Sequence, residues 1–483
     1  MFTPQTFASI LPEILILVLA ILILILEPFW KEDQRRNAGW LTAGGLIAAM
    51  IISLLFARPG EPTAVLGGMI RFDWLGFFFK MMFMFAGAAT ALLLMDHERA
   101  GRRGESYVLL LASLIGMNLM AVSSDLVMLY LAIETASIPL YILAGFLLND
   151  ERSTEAGFKY LLFGTVASTI MLYGFSLIFG FSGTTDLYAL ASIFSSGSIS
   201  PLLAFGVLAL IIVGLGFKLA IVPFHFWAPD VYQGSPTPIA GYLSTASKAA
   251  GFAVVVRLFF VSLPDFAPTW TLIFAALAAI TMTVGNLLAL PQTNIKRLLA
   301  YSSVAHAGYA LIGVVAFSQL GAASVVFYLA AYIATNLLAF GIVMAFNRIT
   351  GLEDITDYAG LSRRNPFLAL MMLAAFLSLA GMPPFGGFVA KVFVFAAGVQ
   401  ANYTWLVIVG IINSIIGVYY YLNVLKYVYL YRMPNEDEDQ NPVPLTRPYN
   451  IALVILTIGV ILVGTVFAPW FGWSAEGAVL LFN

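Results

Sequence analysis

The sequence predicts an all-α, polytopic membrane protein with about fourteen transmembrane helices. Of its 483 residues, 61% are hydrophobic and only 10% charged, a composition no soluble domain needs. Apolar stretches of about 20 residues, the length that crosses a bilayer, recur along the whole chain between short polar loops. The loop cations then divide by parity, as the excess of Lys and Arg in cytoplasmic loops requires.

The predicted spans are 8–27, 38–57, 71–95, 106–122, 125–148, 156–180, 203–224, 236–262, 270–290, 298–318, 322–346, 366–400 (broken), 403–431 and 449–471. The first lacks a basic leader and is longer than a signal core, so it reads as a retained span. With the N-terminus outside, the cytoplasmic loops carry fourteen Lys and Arg, and the outer loops only Arg58 and Arg71. An early miscount by one helix would scramble that bias, so the prediction is N-out and C-out.

The other seven cations fall inside spans: Lys80, Lys159, Lys218, Lys248, Arg257, Lys391 and Lys426. Six of these are lysine, whereas arginine dominates the loops. Arginine keeps its proton in a protein and a buried lysine does not have to, so the interior holds the cation that titrates.

Several chemistries are excluded. There is no cysteine, hence no disulfide, thiol catalysis or Cys-ligated cluster. His97, His225 and His306 show no metal-ligand spacing, and a net charge of −2 gives no sign of nucleic-acid binding. The polar connection 347–365 and the acidic run Asn435–Asn441 between Pro434 and Pro442 read as solvated loops. Neither is long enough for a soluble domain, so redox or nucleotide chemistry is expected on other polypeptides.

Proline interrupts two spans, at Pro223 in the seventh and at Pro383 and Pro384 in the twelfth. Each break has a lysine nearby, Lys218 before the first and Lys391 after the second. Proline frees backbone carbonyls, which lipid tolerates only where protein or water covers them. The breaks lie five spans apart. An odd unit must re-enter from the opposite side, so spans 4–8 and 9–13 read as inverted repeats, the arrangement that points to an ion pathway at mid-membrane. The expected organisation is three N-terminal helices over 1–105, a half-unit over 106–262, its inverted copy over 270–431, and an acidic linker with the last helix over 432–483.

Glu134 is the acid nearest the middle of a span, and such groups are functional by default. The sharp reading pairs it with Lys218 as a switch; the plain one is a structural carboxyl bonded to a neighbouring helix. Lys218 and Lys248 are deep, and Lys248 follows a run of small residues that admits close approach. Burial penalises the charged ammonium, so a deep lysine becomes a usable proton relay. Lys80 and Lys159 are equally well read as snorkelling cations, and Lys159 follows Glu155 at ordinary helix-pair spacing. Arg257 and Lys426, near span ends, read as anchors. His306, His225 and Lys391 complete the titratable set, since histidine titrates near neutrality.

The stretches PFHFWAPDVYQGSPTPIAGYLSTASK (223–248), NIKRLLAYSSVAHAGY (294–309) and LSLAGMPPFGGFVAKVFVF (377–395) resemble the antiporter-like membrane subunits of bacterial respiratory complex I, the subunit N family in particular. Lysine at 391 and the absence of a long lateral helix favour that branch. The resemblance implies proton pumping coupled to NADH:quinone oxidoreduction in a bacterial inner membrane. NADH, flavin, iron–sulfur clusters and quinone would be handled by partner subunits. Glu134 and Lys218 would be the switching pair, Lys248 the central relay and Lys391 the outer link, with His306, Lys159 and His225 as auxiliary candidates. Two other classes stay open: a multi-subunit cation/proton antiporter or membrane-bound hydrogenase, and a membrane scaffold with no ion path.

Overall fold

The computed structural model describes residues 4–195, 200–432, 442–479 and 481–482; the acidic run at 435–441 lies outside the described residues. Thirteen of its helices are long and apolar enough to cross a membrane, and two shorter apolar helices, Pro366–Ala380 and Gly386–Gln400, flank the second break. The chain is a multi-pass membrane protein. Three helices form the centre, Thr237–Ser262, Ile295–Val315 and Gln319–Thr350, each with 94% of its most apolar window buried. Two of the three carry a candidate relay residue.

Helix starts follow the capping chemistry written in the sequence. Asp125 accepts from the N–H groups of Val127 and Met128, and Asn294 from those of Lys296 and Arg297, satisfying donors that a helix start leaves unpaired. Asp150 and Ser318 cap two 32-residue helices, Glu151–Ser182 and Gln319–Thr350, which end on left-handed Gly183 (φ 70°) and Gly351 (φ 71°).

These parallels extend to the backbone. Leu126 N–H donates to Thr185 and Leu187 N–H to Ser124; shifted by 168 to 169 residues, Ile295 N–H donates to Glu353 and Ile355 N–H to Thr293. At the breaks, Ala220 and Ile221 donate to Phe217 and Gly216 just as Gly381 and Met382 donate to Ser378 and Leu377. The 26-residue segments Thr237–Ser262 and Thr404–Tyr429 follow. The same bonds thus occur twice although few side chains do.

Several expectations need correction. The third helix begins at Trp74, preceded by an antiparallel hairpin of Thr63–Val65 and Ile70–Phe72. Its turn uses Gly67 and Gly68 at positive φ, which glycine adopts without steric cost. The first half of the seventh span stops at Leu219. The last span ends at Thr465 and a separate helix, Phe467–Val479, follows. Residues 347–365 are not simply a loop, because the central helix runs to Thr350 and short helical turns follow at Ile355–Tyr358 and Leu361–Arg364.

Arg257 is no surface anchor. It is 1% exposed and grips Asp73 bidentately at 2.7 and 2.9 Å, with further bonds to the Ala121 carbonyl and the Tyr188 hydroxyl. Lys80 does not snorkel either: its ammonium meets Glu13 at 2.9 Å and the Ser9 carbonyl at 2.7 Å. The first pair binds the N-terminal helices to the rest of the bundle, and the second joins the first and third helices to each other. On the expected cytoplasmic side, Asp96 meets Arg36 at 2.9 Å and Arg348 at 3.5 Å and accepts from Thr446.

Two predictions follow from these charges. Arg257→Met strands a buried carboxylate and should cost about 3–5 kcal/mol. The double variant with Asp73→Asn should recover part of that loss in thermal unfolding of the detergent-solubilised chain; single variants as stable as the parent would refute the pair. The second concerns His97, which burial, Lys296 and Arg99 push down to about 4. Its unfolded value is near 6.5, so stability is complete above pH 6.5 and falls, by at most about 1.4 kcal/mol per pH unit, as pH drops toward 4. Asp96, raised by burial against the pull of Arg348 and Arg36, works in the opposite direction. His97→Gln should therefore flatten the decline, and an unchanged pH profile would refute the assignment.

Candidate functional site

The second break shows why its lysine is where it is. In a continuous helix the carbonyls of Leu379 and Ala380 would accept from residues 383 and 384, which are both proline and have no N–H. Lys391, 6% exposed, reaches back from Gly386–Gln400 and donates to both carbonyls at 3.1 Å and to Ser414 Oγ at 2.9 Å. Its ammonium also lies 4.9 Å from the centre of the Tyr309 ring. Gly381 makes the approach possible: it sits at φ 83°, and a Cβ there would lie 2.9 Å from Lys391 Cδ.

The first break is closed differently. Trp227 donates its indole N–H to the Phe217 carbonyl at 3.2 Å and stacks on Tyr160, which meets Tyr141 edge-on. Lys218 is thus free of the break and donates to Ser137 Oγ at 3.0 Å. Glu134, one turn earlier on that helix, is half-buried; its Oε1 has no hydrogen bond among the described residues. The expected direct Glu134–Lys218 pair is absent from the described ion pairs, although the carboxylate remains within electrostatic reach of the ammonium.

Lys248 follows a π-helical turn, Leu243–Ser247, a feature that often marks functional positions. Its ammonium donates to both the carbonyl and Oγ of Ser303 at 2.8 Å. Gly251, one turn on, packs against Lys218, since a Cβ there would meet Lys218 Cγ at 3.2 Å. Beside Ser303, Ser302 shares a 2.5 Å bond with Tyr421, whose hydroxyl also meets His306 Nε2 at 3.2 Å. His306 Nδ1 pairs with Tyr328 at 2.6 Å. Between His306 and the Lys391 carbonyls lies a small cavity lined by Tyr332, Thr335, Ser378 and Leu379, with room for about one water molecule.

The structure therefore sets Lys248 on Ser303, places His306 one hydroxyl away from the adjacent Ser302, and lines the cavity beside His306 with Leu379, whose carbonyl Lys391 holds. Two predicted residues stand apart. Lys159 is held by Glu155 and Asp230, both at 2.6 Å, and Asp230 also takes Arg297 at 2.8 Å. That cluster ties the first break to the helix of His306. His225 Nδ1 is buried without a hydrogen bond. Sequence reading missed Ser137, Ser303, Tyr421 and Ser414, although the polar Ser302-Ser303 step ahead of His306 on an apolar helix was a usable signal. Among the described residues no His, Cys, Asp or Glu group could hold a metal ion.

The clamp makes a prediction opposite to the usual effect of removing a buried charge. Lys391→Met should leave two carbonyls without donors, each costing about 1–3 kcal/mol, and lower the unfolding temperature. A variant more stable than the parent would remove the clamp.

Comparison with known proteins places this geometry. A family described as "NADH:quinone oxidoreductase/Mrp antiporter, TM" matches residues 123–417. NADH-quinone oxidoreductase subunit N of Moorella thermoacetica is 43% identical over 97% of this chain and 98% of its own length; that of Dehalococcoides mccartyi is 42% identical over 94% and 96%. A chain of respiratory complex I from Thermus thermophilus superposes with a TM-score of 0.80 at 32% identity, covering 96% of this chain and all of its own. A chain of the Mrp complex from Dietzia shares the fold at TM-score 0.87 and 19% identity, over 100% and 98% of the two chains. With its broken helices, its buried lysines and these full-length relatives, the chain belongs to the NADH:quinone oxidoreductase/Mrp antiporter membrane family.

Proposed function

We propose that this chain is a proton-translocating membrane subunit of a bacterial NADH:quinone oxidoreductase, working in the inner membrane beside partner subunits that hold the NADH, flavin, iron–sulfur and quinone sites. The names of its full-length relatives support the assignment. One observation carries the mechanism: the hydrogen-bond partners of Lys218, Lys248 and Lys391 are hydroxyls and backbone carbonyls only. The other buried lysine pairs, Lys80 with Glu13 and Lys296 with Glu353, use carboxylates. A carboxylate pins an ammonium's charge, whereas a neutral acceptor serves either protonation state.

The repeated backbone bonds support half-units of 106–262 and 270–431, inverted about the membrane plane. Within them a proton moves from Lys218, biased by Glu134, to Lys248. It continues by Ser303, Ser302 and Tyr421 to His306, and by a water in the adjoining cavity to Lys391. In each hydroxyl step the oxygen accepts one proton as it gives up another, so no charge stays on serine or tyrosine. Electron transfer in the partner subunits supplies the free energy, by changing the field that Lys218 experiences. Lys159 holds the first break in place through Asp230 and carries no proton.

The test is proton/electron stoichiometry in membranes containing the assembled complex with Lys248→Ala. Fewer protons per electron are expected while NADH oxidation continues. Normal electron transfer at an unchanged ratio would remove Lys248 from the path.

A further inference from the structure

Outside the proposed relay, four arginines surround a cavity at the ends of the N-terminal helices. The cavity is about 310 Å³ and is lined by Arg35, Arg99, Arg102 and Arg103, with Phe146 and Leu147 at its wall. Three separate loops build it, those near residues 35, 97–103 and 146–149, all on the side expected to face the cytoplasm.

None of these four arginines forms an ion pair with a described carboxylate. Arg103 instead packs over the Phe146 ring at 5.8 Å. The acids close by are largely engaged elsewhere. Glu27 accepts from the Gly104 N–H at 2.6 Å, and Asp150 from the N–H groups of Arg152 and Ser153. Glu98 is the single acid on the lining, so four guanidinium groups face one carboxylate. His97, neutral at pH 7, neither adds to nor offsets that charge. The neighbouring Asp96 shows the contrast, since its carboxylate draws Arg36 and Arg348 together.

An apolar edge accompanies the charge. Leu148 on the rim is 79% exposed, and Phe29, on the connection that leads to Arg35, is 80% exposed. Guanidinium groups grouped beside exposed apolar side chains at helix ends match a phosphodiester headgroup with acyl chains alongside. The volume also suits a headgroup better than a lone inorganic anion. We propose that this cavity is a binding site for an anionic phospholipid of the cytoplasmic leaflet. It clasps the start of the second helix to the connections after the third and fifth. This site is independent of the proton path.

The test uses the full chain purified in mild detergent, with native mass spectrometry reading bound lipid after equimolar phosphatidylglycerol and phosphatidylcholine are added. The parent should retain phosphatidylglycerol preferentially. Arg99→Gln with Arg102→Gln and Arg103→Gln should reduce that preference by roughly fivefold per arginine. Arg35→Gln, in a different loop, should by itself lower it about fivefold, which separates loss of the site from unfolding of the 97–103 connection. Equal retention of both lipids, or full preference in the variants, would overturn the proposal. So would complete displacement by millimolar inorganic phosphate, which would mark a small-anion site. Crosslinking of this loop to an acidic partner subunit in a lipid-free assembled complex would assign the cavity to a protein interface instead.

Discussion

A backbone carbonyl inside a bilayer has no water to turn to, and much of this fold follows from two breaks where prolines interrupt a helix. At the second break the answer is a lysine reaching back from the following helix to both orphaned oxygens. At the first an indole adds a second donor to the Phe217 carbonyl, which already accepts from Ala220, beside a stack of aromatic rings. Each break has a small residue where groups approach closely, Gly381 beside Lys391 and Gly216 beside Phe224. The glycines and prolines at the two breaks thus act together, opening the backbone and admitting a donor that covers it.

The charges sort into two populations by partner. Asp73 with Arg257, Glu13 with Lys80 and Asp96 with its two arginines are closed pairs, and each links elements distant in sequence. A buried pair gains little net stability over apolar packing, but losing one partner is costly, so such pairs hold the bundle to a single arrangement. Lys218, Lys248 and Lys391 are equally buried and have no carboxylate in contact. Burial alone would not separate these groups; the identity of the partner does.

Much of the fold was readable because the signals were local and strong. Apolar length located most of the membrane helices, and proline marked both breaks. What could not be read was contact between distant segments. Nothing near Arg257 in the chain announces Asp73, and nothing near Lys80 announces Glu13, so the first looked like an anchor and the second fitted a snorkelling cation equally well. The hairpin at 63–72 has strands of three residues, too short for an alternating pattern, though Gly67-Gly68 was a fair turn signal. At the site, residue type identified the lysines and His306 but not their partners. Serine and tyrosine are common in apolar helices, and their role appears only when Ser303 meets Lys248 and Tyr421 meets His306. Glu134 shows the same limit, since the sequence placed it near Lys218 but could not foresee that Ser137 takes the bond.

The two breaks differ in a way that bears on coupling. Loss of the Lys218 proton alters one bond to a serine side chain, and the backbone of its break, held by Trp227, is unaffected. Loss of the Lys391 proton alters the bonds to Leu379 and Ala380 themselves, because charge-assisted hydrogen bonds are roughly twice as strong as neutral ones. Protonation and backbone geometry are therefore linked at the second break and separate at the first. The cavity beside His306 is lined by Ser378 and Leu379, so a relaxed break would also move its walls. The two lysines are thus held in different ways, one by a single side chain and one by the backbone of its own break.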